Sequence, residues 1–292
     1  MNKIGIITKS QKELYFVAAE SKEYKCKARG VFRDKNIKPL VGDKVKIQVL
    51  DDDNAYIEEV FDRKNFLIRP SIANIDQILL VSSLANPKLN YTILDKYLLM
   101  LEHFSIDVKI IINKIELASQ EEINTFKDIY EKTPYDFYFT SAEDGQGIKE
   151  VEDLLKNKIS AFAGPSGVGK SSLLNLFSED FNAETGNISK KTLRGKHTTR
   201  HVELFQLDSN SFIFDTPGFT AIDLSFIEDY KEVKEYFRDF DQFKSSCKFS
   251  DCSHINEPSC AVKKAVEDNL ISRNRYENYI YISKEIQDKR RY

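Results

Sequence analysis

The sequence has no apolar run near the ~18 residues that a membrane-spanning helix needs. Its longest apolar runs, such as Ile78–Val81 and Val108–Ile112, are short. The opening MNKIGIITKSQKE has no apolar segment of secretory length, so the cytoplasm is the expected compartment. Cysteine is scarce: four in 292 residues, too few for a disulfide scaffold. An excess of positive charge is missing too, with 43 Lys and Arg against 46 Asp and Glu and a formal net charge of -3. That excludes a uniformly basic nucleic-acid coat but leaves room for local basic patches. There is no internal repeat and no low-complexity linker. What is present, 41% apolar and 30% charged residues, suits a folded chain of two or three domains.

The few cysteines are unevenly placed. Cys26 stands alone in a strand-like stretch, where plain packing explains it. Cys247, Cys252 and Cys260 crowd together with His254 in CKFSDCSHINEPSC. Three thiolates and one imidazole form a closed, tetrahedral site for structural zinc, and their softness disfavours magnesium or calcium. The competing reading is three buried cysteines beside a surface histidine. A catalytic zinc would need an open fourth position.

Residues 1–66 read as short strands: Ile4–Thr8, Leu14–Ala19, Glu23–Ala28, Lys44–Val49 and Ala55–Val60. Five strands in so short a stretch predict a small closed barrel of OB or SH3-like type. With 14 Lys or Arg against 11 Asp or Glu, this segment opposes the sign of the whole chain. Nucleic-acid binding and a plain solvated surface both fit that excess. From residue 67 to 222, apolar runs at Gln77–Ser82, Val108–Ile112, Phe137–Phe139, Ile159–Ala163 and Ser211–Phe214 alternate with helical stretches such as Tyr91–Phe104. This pattern predicts a parallel sheet covered on both faces. Residues 223–292 are polar and helical around the cysteine cluster and end in the basic KEIQDKRRY.

The strongest motif is Gly164-Pro165-Ser166-Gly167-Val168-Gly169-Lys170-Ser171, followed by Ser172, between an apolar strand and a helix-like SSLLNLF. It fits a P-loop: backbone N–H groups wrap phosphates, Lys170 neutralises the β and γ phosphates, and Ser171 ligates magnesium. Downstream, Asp215-Thr216-Pro217-Gly218 places an acid at a strand end, suited to magnesium through water, and a glycine N–H near the γ-phosphate. Between them, residues 186–203 hold five Lys or Arg against one Glu. Thr198 and Thr199 there are candidates to close on magnesium, and His197 to orient water. The same loop suits either RNA phosphates or plain solvent.

Upstream, Asn113-Lys114-Ile115-Glu116 lies at a strand end. A carboxylate there accepts the N1–H and N2–H2 pair of guanine, Asn113 serves N7, and the Lys114 stem lies along the ring. Adenine lacks that donor pair. In Phe139-Thr140-Ser141-Ala142, a backbone N–H near Ser141 and Ala142 can meet the guanine carbonyl. All these motifs follow strands, so they gather at the carboxyl edge of one sheet.

The base-reading motif precedes the P-loop, the reverse of the ordinary GTPase order, as in a circularly permuted domain. With Arg63-Lys64-Asn65, Arg69-Pro70, Ala73-Asn74-Ile75-Asp76, RGKHTT, DTPGF and CKFSDCSHINEPSCAV, the whole chain resembles the ribosome small-subunit-dependent GTPase A family (RsgA, YjeQ or YloQ). The resemblance implies an OB barrel over 1–66, a circularly permuted α/β P-loop GTPase domain over 67–222 and a helical zinc-binding domain over 223–292. It implies hydrolysis of GTP to GDP by a monomer, stimulated by the small ribosomal subunit and its rRNA late in subunit maturation. One departure is Glu116, where the family carries Asp: the carboxylate is kept, one methylene longer. Phe219 stands where many GTPases keep a water-orienting Gln, so turnover is expected to be slow without the ribosome. The alternatives are an RNA-bound scaffold that holds GTP without useful turnover, and a P-loop kinase or ATPase, which the Asn113–Glu116 signature disfavours. Because Gly218 leads straight into the cysteine-rich domain, a short covalent path could carry the γ-phosphate signal there.

Overall fold

A computed structural model describes residues 1–20, 22–29, 32, 38–67, 70–185, 202–208, 210–215 and 222–289. Side-chain alternation builds its first unit from β1 (Asn2–Gln11), β2 (Leu14–Ala19), β3 (Lys22–Ala28), β4 (Lys44–Val49) and β5 (Asn54–Val60). Tyr24 and Cys26 point inward on β3, Val45 and Ile47 on β4, and Ala55 and Ile57 on β5. The strands pair in the order β1-β2-β3-β5-β4, and β4 returns to β1. The closed five-stranded ring is an OB-type barrel without free edges. β1 runs three residues beyond its expected end at Thr8, because a register shift between Ile7 and Lys9 lets pairing with β2 resume as far as Gln11.

A short hairpin, β6 (Phe66–Leu67) and β7 (Ile72–Ala73), leads into the second unit. Its sheet runs β10 (Asp136–Phe139), β9 (Asp107–Ile112), β8 (Gln77–Ser82), β11 (Ile159–Ala163), β13 (Phe212–Asp215), β12 (Glu203–Gln206). All pairings are parallel except β12 with β13. β8 is buried at every position, as a central strand covered on both faces must be. Ile78 and Leu80 join one apolar layer, and Leu79 and Val81 the other. Helices α1 (Tyr91–His103), α2 (Gln120–Tyr130), α3 (Ile148–Leu155) and α4 (Lys170–Thr185) follow β8, β9, β10 and β11 respectively. Asn90 caps α1 by accepting from Ile93 N, and Ser119 with Glu122 forms a capping box on α2.

The barrel is fixed to this sheet by the turn at Gly42 and Asp43 and by two stretches the sequence had marked, Arg63–Asn65 and Ala73–Asp76. Gly42 has φ +92°, and a Cβ there would lie 2.1 Å from Ala73 O and 3.0 Å from Phe214 Cζ. Asp43, fully buried, receives Arg63 Nε at 2.7 Å and Nη2 at 2.8 Å. Asn65 exchanges two hydrogen bonds with the backbone of Ile75, at 2.8 and 2.9 Å, and Lys64 pairs with Asp76. The Arg63–Asn65 and Ala73–Asp76 stretches thus brace one domain against the next.

The third unit is helical. It runs through 3-10 turns at Tyr230–Tyr236 and Arg238–Phe240, a short turn at Asp241–Lys244, α5 (Ala261–Glu267) and α6 (Arg273–Lys289). Its core gathers Phe237, Phe240, Val262, Tyr279 and Ile282, and also takes Leu99 from α1. Among the described residues, no helix is long and apolar enough to cross a membrane.

Candidate functional site

The strand tips carry the expected motifs to one edge. Ala163 ends β11, and Gly164–Gly169 turns the chain into α4, whose first residue is Lys170. Three glycines of this turn adopt φ between +82° and +125°. A Cβ at Gly164 would sit 2.0 Å from Val81 O, so the turn is wedged against the neighbouring strand. Lys170 Nζ donates to Gly164 O at 2.8 Å and to Pro165 O at 2.6 Å, which holds the cation over the loop's mouth. Burial pulls the Lys170 amine down from the usual lysine range. Val168 is buried and anchors the loop, whereas Ser166, Ser171 and Ser172 are exposed.

The base-reading motif meets the P-loop directly. Asn113 is buried at the end of β9, and its Nδ2 donates to Val168 O at 2.9 Å. A Cβ on Gly169 would lie 2.2 Å from that same nitrogen. Asn113 Oδ1 accepts from Thr140 Oγ1 at 3.1 Å and from Ala142 N at 3.2 Å. A backbone N–H near Ser141 and Ala142 is expected to meet the base; here Ala142 N serves Asn113 and Ser141 N donates to Gln146 O at 2.9 Å. Lys114 adopts φ +63°, and its Nζ donates to Asn86 O at 3.0 Å. Ile115 is buried at the start of a 3-10 turn in which Glu116 is exposed. Ser141 is buried, and its Oγ accepts from Asp144 N at 3.0 Å. At this edge the P-loop is thus set directly against the Asn113 amide, with the exposed Glu116 carboxylate in the turn that follows.

Asp215 closes β13 on the same sheet edge. Thr198, Thr199, His197, Gly218 and Phe219 lie outside the described residues.

In the third unit Cys247, Cys252, His254 and Cys260 converge, their ligand atoms all within 4.8 Å of one another. The Cys247 and Cys260 sulfurs are 3.9 Å apart, and they lie 3.5 and 3.4 Å from His254 Nδ1. Tetrahedral zinc with Zn–S of about 2.3 Å and Zn–N of about 2.0 Å would set these separations at about 3.8 and 3.5 Å. The donor set and its spacing therefore fit a tetrahedral metal ion. Burial pushes the Cys252 thiol up to about 12 and His254 down to about 4. Tyr276 Oη and Lys234 Nζ hold the His254 and Cys252 carbonyls at 2.7 and 3.0 Å. Glu257 receives Ser253 N and Oγ and the N–H groups of Ile255 and Asn256. Against the upward push of burial, these bonds draw Glu257 down to about 2.

The family model described as RsgA GTPase matches residues 60–225, and the one described as RsgA N-terminal domain matches residues 4–57. The chain belongs to the RsgA GTPase family. It is 42% identical over 290 residues to the small ribosomal subunit biogenesis GTPase RsgA of Caldanaerobacter subterraneus, covering 99% of this chain and 98% of that one. It is 43% identical over 282 residues to the protein of the same name from Clostridium novyi, covering 97% of each. The crystal structure of YjeQ from Thermotoga maritima matches with a TM-score of 0.86 at 36% identity, covering 98% of this chain and 99% of that one. That of YloQ, described as a circularly permuted GTPase, matches with a TM-score of 0.83 at 36% identity, covering 99% and 96%. The fold is the circularly permuted GTPase of this RsgA family, which explains a base-reading motif that precedes the P-loop.

Sequence reasoning missed Thr140. It gave that segment only a backbone N–H, but the buried Thr140 hydroxyl fixes which way the Asn113 amide faces. The signal was a hydroxyl one residue beyond a strand parallel to the one that ends before Asn113. Replacing it by the isosteric Val leaves a buried amide oxygen one donor short, at about 1–2 kcal/mol. Thr140→Val is expected to weaken guanine-nucleotide binding roughly ten-fold in a fluorescent-nucleotide titration, with an unchanged circular dichroism spectrum. Unchanged affinity would show that Ala142 N alone orients the amide.

Proposed function

We propose that this chain hydrolyses GTP to GDP and phosphate, is stimulated by the small ribosomal subunit and its rRNA, and acts late in maturation of that subunit. The observation that carries the reading is the hydrogen bond from Asn113 Nδ2 to Val168 O: the base reader and the phosphate cradle are one site for one guanosine polyphosphate. The names of the relatives supply the small subunit. Lys170 neutralises the β and γ phosphates, and the backbone of Gly164–Gly169 with Ser172 wraps them. Ser171 and Thr199 would hold magnesium, with Asp215 acting on its water shell and Gly218 N–H facing the γ-phosphate. Magnesium when bound supplies charge neutralisation at the developing phosphate oxygens. The Cys3His cluster takes one structural zinc. Phe219 cannot orient water by hydrogen bonding, so unaided turnover is slow, and His197 is the candidate to supply that orientation on the ribosome. The protein works as a cytoplasmic monomer.

For RNA, the barrel offers Lys25 and Lys27, exposed on the outer face of β3, and Arg29 just beyond it, which also pairs with Glu58 at 3.1 Å. With Lys12 and Lys38 nearby, Lys27 and Arg29 rim a cavity of about 640 Å³. Phosphodiester contacts there follow from charge. The test is phosphate release measured in parallel with purified small and large ribosomal subunits, with GTP and ATP compared. Release of phosphate from GTP alone, accelerated by small subunits alone, is expected. Equal stimulation by both subunits, or equal use of ATP, overturns the reading.

A further inference from the structure

Between β8, which ends at Ser82, and α1, which opens at Tyr91, the chain makes one tight loop. Buried Leu84 accepts from Leu89 N at 3.3 Å, Ala85 bridges Lys88, and Asn90 caps the helix. Within the loop the Ser83 hydroxyl, on a residue 1% exposed, accepts from Asn86 N at 3.2 Å. This loop meets the nucleotide edge at two points. Asn86 O receives Lys114 Nζ at 3.0 Å, and Pro87 Cδ stands 3.8 Å from where a Cβ on Gly167 would be. Lys114 also passes the far end of the P-loop, its Cε 3.9 Å from where a Cβ on Gly169 would be. The lysine is therefore stretched past the P-loop, with its ammonium tied to the loop after β8.

We infer that Ser83 is a positioning residue for guanine recognition: its buried hydroxyl holds the turn that presents the Asn86 carbonyl to Lys114, and so fixes the lysine stem that lies along the base. A lysine has many rotamers, and ordering such a side chain on binding lowers affinity. With the ammonium held by Asn86 O before the nucleotide arrives, the stem is ordered already. The Lys114 backbone is set at φ +63°, so the acceptor at the far end decides where the stem runs. A main-chain carbonyl is a steady acceptor only when the turn that carries it is steady. A serine hydroxyl bonded to a nearby backbone N–H is a recurrent brace for such turns. Asn86 itself is exposed, so its N–H finds water if the hydroxyl is removed, and the fold has little to lose. The loss falls on Lys114.

The inference rests on the reading of Lys114 as part of the base site, and the experiment separates the two. Binding of fluorescent GDP to the full chain is measured for Ser83→Ala, Lys114→Gly and the double variant. Its displacement by inorganic tripolyphosphate, which fills the phosphate cradle but has no ring, is measured alongside. Glycine suits the φ of +63° at position 114. Ser83→Ala should raise Kd for fluorescent GDP about three- to ten-fold and leave the tripolyphosphate constant within about two-fold, which also shows the site to be folded. In the Lys114→Gly background it should cost nothing further. If Ser83 only props the P-loop through Pro87 and Gly167, both ligands weaken alike and the loss persists without the lysine. That pattern, or a Ser83→Ala protein that binds GDP as the parent does, overturns the inference alone. If Lys114→Gly binds fluorescent GDP as tightly as the parent, the reading of Lys114 fails, and this inference falls with it.

Discussion

Stripping the metal from Cys247, Cys252, His254 and Cys260 is expected to melt the helical region from Tyr230 to Lys289 and leave the parallel sheet folded. The region's core is small, and two of the ligands, Cys252 and Cys260, are part of it. A structural zinc contributes roughly 10–16 kcal/mol in small metal-dependent folds, which matches or exceeds the roughly 5–15 kcal/mol of a whole domain. Besides the metal, hydrogen bonds hold the ligand loop: Glu257 gathers Ser253, Ile255 and Asn256, and Lys234 donates to the Cys252 carbonyl. Tyr276 and Tyr279 donate to the carbonyls of His254 and Ser253, but those bonds depend on the loop's shape. Metal binding releases protons from the thiols, so affinity falls as pH falls, and a chelator should act at lower concentration at pH 6 than at pH 8. Hydrogen exchange along α6 and in β8 and β11, before and after chelation, reads the result. Protection in α6 that survives metal loss would make the cluster an accessory to a self-sufficient core. Cys252→Ser should reproduce the chelated state without the chelator.

What could be read from the sequence was what is local along the chain. Gly164–Ser171, Asn113–Glu116 and the Cys247–Cys260 cluster each fit within fifteen residues, and each carries its own spacing rule. The barrel strands were legible because inward and outward residues alternate, and β8 because the middle of a strand buried on both faces, Ile78–Val81, is a continuous apolar run. β12 was not foreseen: ELFQ is four residues long, partly exposed, and defined by its partners β13 and β1. The Thr140 hydroxyl and the ion pair between Lys9 of β1 and Glu203 of β12 were hidden for the same reason, since their partners lie 27 and 194 positions away. The hinted path from Gly218 into the third unit gains a companion. His103 at the end of α1 stacks on Phe226 at 3.8 Å and meets Tyr236 Oη at 3.0 Å, so the chain just beyond residue 222 is packed against the GTPase domain.

Arg275→Ala should destabilise the junction between the GTPase domain and the third unit by about 3–5 kcal/mol, the cost of leaving a buried ionic network half-made. Arg275 on α6 is 1% exposed and lies between Asp95 of α1, at 2.5 Å, and Asp239, at 2.7 Å. Asp95 also accepts from Tyr130 Oη at 2.7 Å and from Asn278 Nδ2 at 2.6 Å. The guanidinium stands 4.6 Å from the Phe237 ring centroid. Against the cost of burial, the two carboxylates hold Arg275 charged well above the usual arginine range. One side chain therefore ties α1, α2 and the turn ahead of the cysteines to α6. Truncating it leaves two buried carboxylates without a cation, Asp95 keeping only its neutral donors Tyr130 and Asn278. Two-state denaturant analysis suits single domains, so the reading comes from exchange rates in α1 and α6 together. Both should rise in Arg275→Ala, while β2 and β3 in the barrel stay protected. Removing the charges as a set should cost far less: Arg275→Met with Asp95→Asn and Asp239→Asn leaves no stranded ion. If the triple variant were as damaged as Arg275→Ala, packing volume rather than charge would hold the junction. If Arg275→Ala left α1 and α6 protected, the apolar contacts around Leu99 would suffice by themselves to dock the third unit.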